Sequence, residues 1–118
     1  GHLLEMVGDD ALGVRIELDA LPLYEGAAVL ATDGIRSTLH AENRRVLDLL
    51  DADAAAQAHP AFELCFDPQT AGGLLCALPA ADAPRVVAAL RAAGHLQASR
   101  IGTVCAYDGA GPRVVITA

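Results

Sequence analysis

The chain has 118 residues, 53% of them hydrophobic, and a formal net charge of −7. That length suits one compact domain with a core of its own, and the hydrophobic fraction argues against disorder. No apolar run approaches the roughly 20 residues that a membrane-spanning helix needs, and the eight basic residues form no stripe that could neutralise a run of phosphates. Neither a membrane nor nucleic acid is an expected partner. Cys65, Cys76 and Cys105 stand singly in apolar stretches, without zinc spacing or an even disulfide count. They are expected as buried free thiols, which suits a reducing cytoplasm. No secretory signal opens the chain, and a start at Gly1 without methionine leaves a lost N-terminus open.

In chain order, "HLLEMV" (2–7) is expected to end a helix, stopped by Gly8 with Asp9 and Asp10. In "VRIEL" (14–18), Val14, Ile16 and Leu18 alternate with Arg15 and Glu17, the two-residue period of a half-buried strand. "AAVLATDG" (27–34) predicts a short helix closed by Gly34. "HAENRRVLDLLDA" (40–52) predicts a longer one, with Val46, Leu47 and Leu50 available for burial and Arg44 four residues from Asp48. The segment 52–60 fits a frayed helix or a loop. "AFELCF" (61–66) is expected as a strand, with Phe62, Leu64 and Phe66 on one face, and "GLLCALP" (73–79) as a strand covered on both faces.

"AADAPRVVAALRAAG" (80–94) predicts a helix with Pro84 in its first turn, an apolar stripe through Val86, Val87 and Leu90, and Gly94 at its end. "RIGTVCAYD" (100–108) and "RVVITA" (113–118) are expected as strands joined through "DGAGP". Helices interleaved with strands and hairpins point to an α+β fold, a layered α/β sandwich with a mixed or antiparallel sheet, partly ferredoxin-like. No internal repeat is visible.

The stretch "FDPQTAGGLL" (66–75) interrupts two apolar runs with turn chemistry. Asp67 before Pro68 favours a turn, and Gly72 and Gly73 relax steric limits ahead of the next run. Backbone N–H groups in such a turn can converge on an anion, with Thr70 adding a hydroxyl and Gln69 an amide. The same residues serve equally well as a plain hairpin connection. There is no GK[ST] and no strand-loop-helix order, so this is not a P-loop. The phosphate- or substrate-loop candidates are therefore Asp67, Gln69, Thr70, Gly72 and Gly73.

"GIRSTLHAEN" (34–43) supplies a secondary set, Arg36, Ser37, Thr38 and Asn43. A helix start there could receive an anion, or Ser37, Thr38 or His40 could cap it. The four histidines lack metal-ligand spacing and are expected at the surface or as caps. Asp9 with Asp10, and Asp51 with Asp53, are expected as solvated acids. Cys65 has no neighbouring base in sequence that would make it a nucleophile. No catalytic residue and no metal ligand is assigned.

Three stretches together resemble selenophosphate synthetase, also called selenide, water dikinase, in its C-terminal domain. "DPQTAGGLL" resembles that family's DPQTSGGLL, "GIRSTLHAEN" is similar to its segment after the short helix, and "GHLLEM" (1–6) resembles the end of its TGFGLLGHLLEM motif. Order and approximate spacing agree over essentially the whole chain. Aminoimidazole ribonucleotide synthetase, thiamine monophosphate kinase and the hydrogenase maturation dehydratase belong to the same ATP-using superfamily but usually differ at this turn. Ala71 stands where the family often has serine, which removes a possible hydroxyl donor. Ala41 stands where it often has proline, a mild change in a first helical turn.

The resemblance implies an enzyme that makes selenophosphate from selenide, ATP and water, releasing AMP and phosphate, with ATP and Mg2+ as its cofactors. Its reactive cysteine or selenocysteine, essential lysine and most metal-binding aspartates belong to an N-terminal ATP-binding domain. Residues 1–118 are then a single C-terminal domain whose partner is that missing domain, with a homodimer possible in the full-length enzyme. The fragment alone is expected to be inactive and to carry no cofactor. Two alternatives are a non-catalytic anion-binding or dimerisation module, and the C-terminal domain of another enzyme of the same superfamily.

Overall fold

A computed structural model describes residues 1–8, 11–69 and 72–118. The expectations placed on Asp9, Asp10, Thr70 and Ala71 lie outside the described residues. The chain runs α1 (His2–Val7), β1 (Leu12–Glu17), α2 (Ala27–Thr32), α3 (His40–Asn43), β2 (Leu50–Ala52), α4 (Ala54–Ala58), α5 (Ala83–Ala92), β3 (Gly102–Ala106) and β4 (Val114–Thr117). Short 3-10 turns occupy Leu18–Ala20, Arg44–Leu49, Glu63–Phe66 and Ala80–Asp82. Among the described residues no helix is long and apolar enough to cross a membrane.

The strands form one mixed sheet in the order β2-β4-β1-β3. β1 runs parallel to β4 and antiparallel to β3, while β2 runs parallel to β4. The fold is thus the expected α+β sandwich with a mixed sheet. Its ferredoxin-like part is the central parallel pair with one antiparallel neighbour. β3 and β4 follow each other in sequence yet pair on opposite sides of β1, so their connection is not a hairpin.

Alternation along β1 does what the sequence anticipates: Val14, Ile16 and, just beyond it, Leu18 are buried, and Arg15 is exposed. The register places Val14 beside Val114 and Ile16 beside Ile116, with Leu50 and Ala52 opposite the same two β4 residues. This apolar face meets Val7 of α1, Ala56 of α4, and Ala61, Phe62 and Phe66 in a single core. At about 25 cal/mol per Å2 of apolar area removed from water, burying a side chain the size of Phe62 is worth about 2–3 kcal/mol. Gly102 lies so close to β1 that an added Cβ would collide with the Arg15 carbonyl oxygen. Only glycine permits that approach.

Four expectations are corrected. The segment 40–52 is not one helix: it tightens into a 3-10 turn after Asn43 and ends as β2, because pairing with β4 captures Leu50 and Ala52. Arg44 accordingly does not pair with Asp48 but turns to Glu63. The run 61–66 is not a strand. Its amides bond three residues back, Phe62 to His59, Leu64 to Ala61 and Cys65 to Phe62, and the buried pair Phe62 and Phe66 fits a four-residue helical spacing as well as alternation.

The run 73–79 forms no strand either. A segment apolar on both faces needs covering layers to be a strand, and Leu74 is fully exposed. Finally, the three cysteines are exposed rather than buried: Cys76 lies in that unpaired run, Cys105 on the edge strand β3, and Cys65 on the 3-10 turn.

The residues expected at the ends of α1, α2 and α5 are found there, whereas His40, expected at the surface or as a cap, is buried and caps nothing. Gly8 ends α1, and Gly34 follows α2. Pro84 sits in the first turn of α5, and Gly94, at φ 100°, lets the chain reverse so that the Gly94 and His95 amides donate to Arg91 and Leu90. The stripe Val86, Val87 and Leu90 is only partly covered, and no α5 residue is buried. The ambiguous segment 52–60 contains α4, capped by Asp53, whose Oδ1 accepts the Ala56 amide at 2.8 Å. His59 pairs with Asp19 through Nε2 at 3.1 Å while its Nδ1 accepts the Ala61 amide, which ties the turn after β1 to the turn after α4.

Candidate functional site

The two sequence motifs singled out above meet in space. α3 and the turn after it pack beside Glu63–Phe66, the 3-10 turn that leads into Asp67. Glu63 is the centre of this junction. The Arg44 Nε donates to both carboxylate oxygens at 3.3 Å, and the Arg36 Nε lies 3.9 Å from Oε2. His40 is buried, with Nε2 3.0 Å from Oε2 and 3.2 Å from the Glu63 carbonyl oxygen. Both neighbours only accept, so Nε2 carries the hydrogen and donates. Two guanidinium groups thus face one carboxylate, which leaves these side chains with a surplus of positive charge.

Asn43 adds a second link, its Nδ2 donating to the Phe66 carbonyl oxygen at 3.0 Å. The Phe66 ring is buried edge-on against Phe62, with centroids 5.3 Å apart, and against His40 at 6.2 Å. Both groups of Phe66, ring and carbonyl, are therefore held immediately before Asp67. The Asp67 amide donates to Leu64, which completes the 3-10 geometry.

Of the loop candidates, Asp67 is half-buried, and Gln69, Gly72 and Gly73 are exposed. Thr70 lies outside the described residues. Gly73 has no positive φ. A Cβ on Gly72 would come within 2.9 Å of Gln69 Oε1, whereas around Gly73 there is open space among the described residues. Of the secondary set, Arg36 and Asn43 join the junction, Arg36 also donating to the carbonyls of Ala31 and Ile35. Ser37 and Thr38 are exposed and do not cap α3, which has no side-chain cap bond. Sequence reasoning missed Glu63, His40 and Arg44 as partners. Glu63 lies 23 residues from His40, and no local spacing signals such a pair.

Cys65 is exposed as a residue, yet loss of water around its sulfur pushes the thiol up to about 11, with Glu63 adding to the rise against its own backbone hydrogen bond. A thiol held protonated at neutral pH is a poor nucleophile. Among the described residues no three His, Cys, Asp or Glu side chains gather to hold a metal ion.

Fold and junction define an α+β domain in which α3 is fastened to the 3-10 turn Glu63–Phe66. The chain belongs to the family of AIR synthase related protein, C-terminal domain, whose sequence model matches residues 1–115. It is 39% identical over 104 residues to the selenide, water dikinase of Pelobacter propionicus, covering 88% of this chain and 30% of that protein. With the selenide, water dikinase of Burkholderia pseudomallei it shares 35% identity over 115 residues, 93% of this chain and 30% of the relative. With that of Clostridioides difficile it shares 30% over 109 residues, 88% and 30%. The chain thus spans about 30% of the length of these relatives. No solved structure matches it.

Proposed function

We propose that residues 1–118 form the C-terminal domain of a selenide, water dikinase, which makes selenophosphate from selenide, ATP and water and releases AMP and phosphate. The observation that carries this reading is the junction itself: the two stretches that resemble the family over separate parts of the chain, "GIRSTLHAEN" and "FDPQTAGG", are joined by the Asn43–Phe66 hydrogen bond, and Glu63, three residues before Phe66, holds Arg36 and His40 of the first. A turn braced in this way suits a supporting part in phosphoryl transfer, where catalysis is largely positioning and charge stabilisation. Asp67, Gln69, Thr70, Gly72 and Gly73 are the residues proposed to close or support the active site.

ATP, magnesium and the chemistry on them belong, in this reading, to an N-terminal domain of the parent protein, and the cytoplasm is its compartment. The exposed surface supports a missing partner. The chain exposes 8054 Å2, where a compact monomer of this size exposes about 6,000 Å2. Leu74, Ile35 and Leu39 are among its exposed large apolar residues. The same surface favours a second reading, a dimerisation module without activity.

The test is to assay the full-length protein and the 118-residue chain for AMP formation that requires both ATP and selenide, with phosphorus NMR to identify selenophosphate. The reading expects turnover from the full-length protein and none from the isolated chain. A full-length protein that consumes ATP without selenide would shift the assignment to another enzyme of the superfamily.

A further inference from the structure

β3 is an edge of the sheet: among the described residues it pairs with β1 alone. The bonds that flank the strand fix which way its backbone faces. Glu17 donates to the Ile101 carbonyl oxygen, and Tyr107 donates to that of Ala11. Successive residues of a strand direct their N–H and C=O groups to opposite sides. Ile101, Thr103, Cys105 and Tyr107 therefore face β1, whereas Gly102, Val104 and Ala106 turn their backbone groups to the open edge. Natural edge strands are blunted by charge, proline or a bulge. Here no charged residue or proline lies between Arg100 and Asp108, and the register with β1 runs without a bulge.

The edge also matches itself. Laid antiparallel against a second copy about a two-fold axis at Val104, it sets Val104 against Val104 and Gly102 against Ala106, each pair exchanging two N–H···O bonds. Gly102 and Ala106 put no bulk in the way. Two residues beyond each end of β3, the same register sets Arg100 of one copy against Asp108 of the other. Both are exposed, and Arg100 stays so although it meets Glu17 at 3.4 Å. Opposite charges thus meet at both ends of the paired edge.

The available area agrees. The surface beyond that of a compact monomer is about 2,000 Å2, and each partner of an obligate dimer buries about 1,000–2,500 Å2. Val104 and Leu12 share a face of the sheet with buried Val14, yet both are exposed, so apolar sheet surface continues out to the edge. We propose that the free edge of β3 joins the same edge of a second copy of this chain, antiparallel about Val104, so that the two sheets run on as one. This pairing does not depend on the activity proposed above.

The test uses the full-length protein. In the proposed register Thr103 faces Cys105 of the second copy as a non-hydrogen-bonded pair with Cα atoms about 4.5 Å apart, within reach of a disulfide. Thr103→Cys is oxidised with copper phenanthroline, and Ser37→Cys, also exposed, is the control. Non-reducing gels and mass spectrometry of linked peptides are expected to show a dimer joined between position 103 and Cys105, and none joined through position 37. Sedimentation then follows two edge variants. Val104→Pro removes an N–H that faces the open edge while leaving the bonds to β1, and Ala106→Lys puts charge on the edge. Each is expected to raise the dimer dissociation constant by about tenfold or more.

Absence of the link between position 103 and Cys105 would overturn the proposal, as would a dimer whose dissociation constant neither variant moves. So would a monomer in which the amides of Gly102, Val104 and Ala106 resist hydrogen exchange, because the edge is then filled by the chain's own residues 74–78 or by another part of the full-length protein. Should Val104→Pro fail to fold, Ala106→Lys and the disulfide decide.

Discussion

Buried His40 on α3 places Nε2 3.0 Å from the carboxylate of Glu63, 23 residues further along the chain. Arg44 reaches the same carboxylate at 3.3 Å and Arg36 at 3.9 Å. Removing the carboxylate leaves a buried imidazole with one acceptor fewer and two guanidinium groups near each other. Glu63→Ala is therefore expected to destabilise the 118-residue chain by about 1–3 kcal/mol, and Glu63→Gln by less, since an amide oxygen still accepts from His40. Urea denaturation checks this. The midpoint should fall with an unchanged slope, and equal losses for the two variants would mean that charge rather than hydrogen bonding matters at His40.

At Gly102 the physical problem is space. A Cβ there would run into the backbone of Arg15 on the neighbouring strand, and a backbone atom cannot swing aside as a side chain can. Gly102→Ala is expected to cost about 2 kcal/mol or more and to loosen β3 from β1. Faster amide exchange at Val14 to Ile16 of β1 and at Gly102 to Val104 of β3, beside a lowered melting temperature, is the signature. A melting temperature equal to wild type would show that the two strands can separate without cost.

Exposure divides the leucines. Leu18 is 1% exposed and Leu74 103%. Leu18→Ala is expected to cost about 2–5 kcal/mol through lost burial and a residual cavity, and Leu74→Ser to stay within about 0.5 kcal/mol in the 118-residue chain. Denaturation of both variants decides it. A large loss at Leu74 would place that side chain in a core.

The raised Cys65 thiol links stability to alkaline pH. An unfolded thiol ionises near its ordinary value of 9.0, whereas the folded one holds its proton to about 11. The stabilising contribution of the protonated folded thiol is thus fully present below pH 9 and lost as pH rises through 11. Cys65→Ala should flatten the decline in stability between those values when melting temperature is followed against pH. At neutral pH the same shift lowers the thiolate fraction, so Cys65 is expected to react with iodoacetamide about tenfold more slowly than an unshifted thiol, which peptide mass spectrometry can follow.

Local pattern reached some of these elements unaided. Alternation through Val14, Ile16 and Leu18 marks β1 because successive side chains on a strand face opposite ways, a property of the chain itself. Pro84 and Gly94 bracket α5 because each acts through its own backbone angle. Asp53 was legible as well: an aspartate ahead of three alanines is a helix cap by composition, although the solvated-acid reading passed over it. The run 61–66 was misread because Phe62 and Phe66 satisfy a helical and an alternating period alike, and only the bonds from Phe62, Leu64 and Cys65 to residues three back resolve it.

The sequence by itself determined the one-faced strand β1 and the presence of the helices α1, α2 and α5. All of these depend on residues within a few positions of one another. The tertiary structure alone decided that β1 lies between β3 and β4, that Leu50 leaves a helical run to pair with Val114, and that Glu63 gathers Arg36, His40 and Arg44. Ladder partners and ion pairs are set by which distant segments share a core, and their energies act across space between residues whose separation along the chain carries no periodic signal.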